Sequence, residues 1–248
     1  MLIYDSHVHL KHGDAAATEY SAEAIIQTMG AAGIEKSVVF AMSTTTRRSI
    51  EMAQEAVAKF PGRLIPYVYA LPNYERSVLP EIERAVSELG FRGIKVHAGE
   101  CRLTDYISDP LFELAGRLDV PCLVDFAGDF VTTRRIAGKF VQTRLIVAHL
   151  GQYLCTSTER LDRFIEIAEA CGNVFLDISG VVLPWKVEDA VRRVGSDRVL
   201  FGTDGPCPAP DTASFARLEV SKVNMLNLSP PEKEDVFAGT LSTLLRLD

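Results

Sequence analysis

Short runs rich in β-branched and aromatic residues recur along this chain, at 2–4, 37–40, 64–69, 93–96, 121–124, 144–147, 173–176 and 198–201. Markers taken from successive runs lie 23 to 35 residues apart, room for one strand, one helix and two short loops in each repeat. The stretches between them carry helical signals. Ser21 stands where a helix through Ala24, Ile25, Thr28 and Met29 needs an N-cap, and Gly33 is a natural stop. Thr158 and Glu159 open a segment with apolar residues at Leu161, Phe164, Ile165 and Ala168, the i, i+3, i+4, i+7 spacing of a buried helix face, closed by Gly172. The tail from about 211 reads as helix before and after Ser229-Pro230-Pro231. Strands alternating with helices predict βαβ units and a parallel sheet. A doubly wound open sheet would be expected to carry a glycine-rich phosphate turn after an early strand, and none follows the first strand here. The pattern therefore predicts an α/β fold, a (β/α)8 TIM barrel, with no linker dividing residues 1–248.

Composition agrees with this. The 248 residues match the usual length of one such barrel, and 47% hydrophobic with 24% charged residues is ordinary for a globular chain. A formal net charge of -7 argues against a nucleic-acid partner, which needs a basic face. No apolar run reaches the roughly 18 residues of a membrane span. Five scattered cysteines without a C-x-x-C pair predict reduced thiols. The first residues run into a strand with no basic segment ahead of it, so a cytoplasmic protein without a signal peptide is expected. A homodimer is the default assembly for such an enzyme.

The ends of the strands carry the chemistry. The first run leads into Asp5-Ser6-His7-Val8-His9, the fourth into His97, the fifth into Asp125, the sixth into His149, the seventh into Asp177 and the eighth into Asp204. In a parallel barrel these ends share one rim, where active sites of the fold sit. Buried carboxylates and imidazoles are costly unless paired or metal-bound. Alternate strand residues share a face, so His7 and His9 are expected to point inward together, with Asp5 one step deeper. Asp204 adjoins them once the barrel closes. Two imidazoles and a carboxylate leave room on a divalent ion for a water whose acidity the ion raises. His149 at the same rim is expected to be catalytic. Lys95 and His97 share a strand face; Lys95 is either a carboxylated metal bridge or a buried cation offsetting nearby carboxylates. Asp177 is either a support or a substrate contact. Arg47 and Arg48, after the second run, are candidates for clamping a substrate carboxylate, and Tyr153 and Trp185 for apolar walls.

These residues resemble the amidohydrolase superfamily, in particular its amidohydrolase-related branch of metal-dependent hydrolases and decarboxylases. The carriers are Asp5 to His9, Gly93 to His97, Val147 to Gly151 and Leu200 to Pro206, with Phe237 to Thr240 like the closing helix. The resemblance implies a divalent metal, usually zinc, on His7, His9 and Asp204. It implies too that His149 orients or deprotonates the attacking water, while Asp204 ligates and shuttles a proton. Asp125 stands where the family commonly has a histidine. It is read first as a further ligand, which shifts preference towards manganese; a substrate contact and a metal-free site are the alternatives. The reaction expected is attack of metal-activated water on a small amide, ester or lactone. Non-oxidative decarboxylation of an aromatic or unsaturated acid is the second reading, and a metabolite-binding barrel without catalysis the third.

Overall fold

The computed structural model describes residues 1–13, 17–207 and 210–247. Its eight strands are β1 (Tyr4–Lys11), β2 (Lys36–Ala41), β3 (Leu64–Tyr69), β4 (Gly93–His97), β5 (Cys122–Asp125), β6 (Leu145–Val147), β7 (Val174–Asp177) and β8 (Val199–Leu200). They pair in parallel in chain order, each with the next. Between them run α1 (Ala22–Ala32), α2 (Thr46–Lys59), α3 (Leu79–Leu89), α4 (Asp105–Arg117), α5 (Phe130–Lys139), α6 (Thr158–Ala170) and α7 (Pro184–Val194). After β8 come α8 (Thr212–Met225), α9 (Pro230–Glu234), a π turn and α10 (Thr240–Leu245). The seam between last and first strands is closed by three backbone bonds: Ser6 N–H to Phe201 C=O at 3.0 Å, Asp204 N–H to His7 C=O at 2.8 Å and His9 N–H to Gly205 C=O at 2.7 Å. This is a single (β/α)8 barrel.

Strand parity sorts the core into two layers. Tyr4, Val38, Phe40, Ile65, Tyr67, Leu123, Ile146 and Leu200 fill the barrel. Their neighbours Val39, Val68, Ile94, Val124, Val147 and Val199 face outward under the helices. Such alternation lets β-branched side chains on both faces leave water, each worth about 1.5–3 kcal/mol when fully buried. Gly93 makes room for the largest interior ring: a Cβ there would lie 2.4 Å from Tyr67 Cζ. At the far end from the strand tips, Leu241, Leu244 and Leu245 of α10 pack on the interior cluster and plug it.

Four local readings are sharpened. Ser21 does cap α1, accepting from Ala24 N–H, and Gly33 ends it with φ of 74°. α6 has Ser157 as its N-cap and Cys171 as its C-cap, one residue ahead of the expected stop at Gly172. Ser229 and Glu232 form a capping box that places Pro230 and Pro231 inside the first turn of α9, where a missing N–H costs nothing. β8 is shorter than the run at 198–201, because Arg198 belongs to a 3-10 turn and Phe201 N–H goes to Val236 C=O at 2.8 Å.

β1 brings a correction. It extends through the whole histidine motif, and its register against β2 shifts between Asp5 and Val8. The extra residue reverses parity, so Tyr4 and His7 both face inward while Asp5 faces the helices. Asp5 is therefore not one step deeper on the histidine face. It takes Thr203 N–H (2.9 Å) and Oγ–H (2.6 Å) together with His7 N–H (3.0 Å). Burial pushes its carboxyl up to about 7 in spite of those bonds.

Candidate metal centre

The site is built upward from Asp177, fully buried at the tip of β7. Its Oδ2 accepts His149 N–H at 3.1 Å and Ser179 Oγ–H at 2.5 Å, and lies 3.2 Å from His7 Nδ1. Its Oδ1 takes Ser6 Oγ–H at 3.1 Å. Gly202 leaves space for it, since a Cβ there would lie 2.3 Å from that oxygen. Burial alone would raise the carboxyl, but hydrogen bonds from His7 and Ser179 and the charge of His149 hold it well below the ordinary range. An ionised Asp177 only accepts, which puts the His7 proton on Nδ1 and turns a bare Nε2 towards the barrel mouth.

That nitrogen lies 3.1 Å from Asp204 Oδ1 and accepts from Lys95 Nζ at 2.9 Å. His9 Nε2 lies 2.9 Å from the same Asp204 oxygen. Burial depresses both imidazoles, His9 to about 3, so both are neutral, the form that binds metal. Lys95 is fully buried; burial lowers its affinity for a proton, and Asp125, Asp204 and Asp177 oppose that. Asp204, its side chain 11% exposed, is held low by His7, His149 and His9. Its φ of 56° is left-handed, a conformation aspartate tolerates better than most residues.

Across the mouth, His149 follows β6 in a tight turn with φ of 59°. Its Nδ1 lies 3.0 Å from Ser179 C=O, and its Nε2 lies 3.5 Å from Asp125 Oδ2. Burial works against a charge on this ring, but Asp204 and Asp125 lift it to about 9. His97 Nε2 lies 3.1 Å from the same Asp125 oxygen, and Ala127 N–H donates to the other at 2.7 Å. These groups surround a cavity of about 210 Å³ whose remaining walls are His12, Gly13, Met42 and Tyr153.

Most residues singled out by the strand-end pattern thus meet here: His7, His9, Lys95, His97, Asp125, His149 and Asp204 line the cavity, and Tyr153 is one of its walls. Asp177 lies beneath it and orients His7 and His149. Two expectations need correcting. Thr45 caps α2, so Arg47 already sits in its first turn; its guanidinium is 65% exposed and pairs with Glu81 at 3.2 Å, outside the cavity. Pro184 starts α7, which leaves Trp185 56% exposed and outside the cavity too. His7 and His9 also divide their partners. Among the described residues, the sets whose ligand atoms all lie within 4.8 Å are His7, His149 and Asp204, and His9, His12 and Asp204. Asp125 belongs to neither set.

Residues that the strand-end pattern missed are the supports. Ser6 and Ser179 are small hydroxyls without a distinguishing motif. Glu100 binds the Tyr69 hydroxyl, Ser43 N–H (3.1 Å) and Ser43 Oγ–H (2.6 Å), tying the loops after β2 and β4 to the end of β3. His12 did carry a signal, a third histidine three residues after His9 on a strand that reaches Lys11.

The donor set suits a divalent ion. Asp125, Asp177 and Asp204 bring three carboxylates together against Lys95 and His149, an excess of negative charge that favours a cation. The 3.1 Å between His7 Nε2 and Asp204 Oδ1 falls within the spacing of about 3.0–3.4 Å between two ligands each roughly 2.1 Å from one ion, and the 2.9 Å of His9 Nε2 lies just short of it.

A parallel eight-stranded barrel whose strand tips bring histidines and aspartates together presents a candidate metal centre. The amidohydrolase family model matches residues 4–247, and the chain belongs to that family. It is similar to a gamma-resorcylate decarboxylase of Polaromonas sp. (strain JS666 / ATCC BAA-500), 23% identical over 280 residues covering 88% of this chain and 84% of that one. Among solved structures, an amidohydrolase of Burkholderia multivorans with bound zinc superposes with a TM-score of 0.79 at 17% identity, covering 100% of both chains. A 5-carboxyvanillate decarboxylase of Novosphingobium aromaticivorans, complexed with manganese and a nitrobenzoic acid, gives 0.76 at 18% identity over 99% of this chain and 96% of that one.

Proposed function

We propose that this chain is a divalent-metal-dependent decarboxylase of an aromatic or unsaturated carboxylic acid, in preference to the hydrolase of an amide, ester or lactone that the strand ends first suggested. What carries this reading is that the curated relative and a metal-bearing solved structure, each aligned with most of the chain, are both named as decarboxylases of aryl acids. The ion would be held by Asp204 and the imidazoles gathered on it. Its contribution would be that of a Lewis acid, fixing the oxygens of the acid and withdrawing electron density from them.

The remaining residues supply position and a proton. In the net reaction the bond between ring carbon and carboxylate breaks, CO2 leaves, and the electron pair left on carbon takes up a proton. His149 presents Nε2 to the cavity, its ring held by Ser179. His97, 26% exposed, reaches the same Asp125 carboxylate, so a proton has a route from solvent through Asp125 to His149. Lys95 offsets the negative charge at the cavity floor, and Met42 and Tyr153 offer a flat acid its apolar surfaces.

The test is product analysis with protein loaded with Mn2+ or Zn2+. Given a panel of hydroxybenzoates alongside esters and lactones, it is expected to evolve CO2 in step with loss of one aromatic acid. Acid release from an ester or lactone, with no CO2 from any acid, would overturn the reading.

A further inference from the structure

His149 is held by Ser179, and Ser179 lies in the turn that follows β7. Pairing with β8 reaches as far as Ile178, whose N–H donates to Leu200 C=O at 3.0 Å. Beyond it the turn meets two buried charged residues of α8, Glu219 and Lys222, for which the reaction above has no use. Lys222 Nζ donates to Ile178 C=O at 2.9 Å, to Val181 C=O at 3.3 Å and to Glu219 Oε2 at 2.5 Å. These bonds occupy all three donors of an ammonium. The same Glu219 oxygen accepts Gly180 N–H at 3.3 Å. On its other side the turn is tied to the loop after β6. Leu154 N–H donates to Gly180 C=O at 3.3 Å, and a Cβ on Gly180 would lie 2.3 Å from Tyr153 Cε2. The Tyr153 ring in turn stands edge-on to His149, 5.0 Å between centroids.

We propose that Glu219 and Lys222 are positioning residues for His149: their ion pair clamps the turn at 178–181 and so fixes where Ser179 C=O holds the imidazole. The inference rests on the assignment of the proton to His149 in the decarboxylase reading. A buried ion pair is by itself weak evidence for stability, because an apolar pair of similar volume often serves as well. Here its polar atoms are spent on the backbone of a single turn, two carbonyls and one N–H. Ser179 C=O and Oγ each lie 3.0 Å from His149 Nδ1, so the direction of Nε2 into the cavity follows the position of that turn. A misplacement of about 1 Å, even from a change far from the chemistry, can cost about 100-fold in rate. The clamp is therefore expected to show in kcat, not in the binding of substrate or metal.

The double variant Lys222→Met with Glu219→Leu tests this, since it exchanges the pair for apolar side chains and removes the anchoring bonds together. In full-length, Mn2+-loaded protein it is expected to keep its metal content and KM, while kcat on the hydroxybenzoate that the wild type turns over fastest falls at least about tenfold. The His149 Nδ1 proton, assigned in the nuclear magnetic resonance spectrum with His149→Gln, should exchange slowly in the wild type and rapidly in the double variant. An unchanged kcat, or a loss of rate that KM or metal content accounts for, would overturn the clamp. Hydrogen exchange of the wild type decides the matter even where the double variant does not fold. Gly180 N–H is expected to be protected as strongly as the amides of α8, and exchange at the rate of a free loop would overturn the proposal. A wild type that releases no CO2 from any acid would instead contradict the decarboxylase reading, while the exchange of Gly180 N–H and of the His149 proton still tests the clamp.

Discussion

Asp204→Asn is expected to leave the barrel folded, weaken divalent-metal binding by more than about 100-fold and lower kcat by about 10²–10⁴. Asparagine is the informative replacement because the backbone here has φ of 56°, which asparagine also tolerates. The structural bond of this residue, its N–H to His7 C=O at 2.8 Å, does not involve the side chain. What is lost is the one carboxylate that both triads share. Supporting partners of a metal ligand alone are worth about 10–100-fold in affinity, so removing a shared ligand should exceed that. Metal content after gel filtration and steady-state rates would check it. A variant keeping a full equivalent of ion would remove Asp204 from the metal centre.

The second large effect is expected at a residue that never meets the ion. In Asp177→Asn the amide nitrogen can face His7 Nδ1 as a donor, and the ring must then move its proton to Nε2. The nitrogen that faces Asp204 and Lys95 thereby becomes a donor and can no longer bind metal. His149 N–H and Ser179 Oγ–H compete for what acceptor remains, and Lys95 loses one of three nearby carboxylates. Loss of a partner from such a buried charged network typically costs about 3–5 kcal/mol. Metal affinity should fall about 10–100-fold. Denaturant unfolding of the metal-free protein separates the first effect from the second, which competition with a chelator measures. Unchanged metal affinity would mean that Asp177 does not set the His7 tautomer.

The eight strands were legible because each is a β-branched run at regular spacing, and because polar residues cluster where a parallel barrel places all its strand tips together. His7, His9, Lys95, His97, Asp125, His149 and Asp204 follow from that rule alone. Asp5 did not, because simple alternation assumes an unbroken register and β1 carries a bulge. Arg47 and Trp185 were misplaced for a related reason: both follow a strand in sequence, but a cap at Thr45 and the proline at 184 start helices that carry them outside the cavity. Ser179 supports two histidines through contacts 172 and 30 positions away, and no local pattern records such distances. Where His7 and His9 stand relative to Asp204 is likewise set by closure of the barrel rather than by the two-residue spacing between them.

The central claim is that this centre removes a carboxylate from an unsaturated or aryl acid with the aid of a divalent ion. Reaction in D2O of the metal-loaded protein with a responsive hydroxybenzoate, followed by proton and carbon nuclear magnetic resonance, tests it most directly. The account predicts one deuterium at the ring carbon that bore the carboxylate, labelled CO2 from a carboxyl-labelled acid, and loss of both on removal of the metal. Retention of the carboxyl carbon in every product, with an oxygen from labelled water entering an ester or lactone instead, would contradict it.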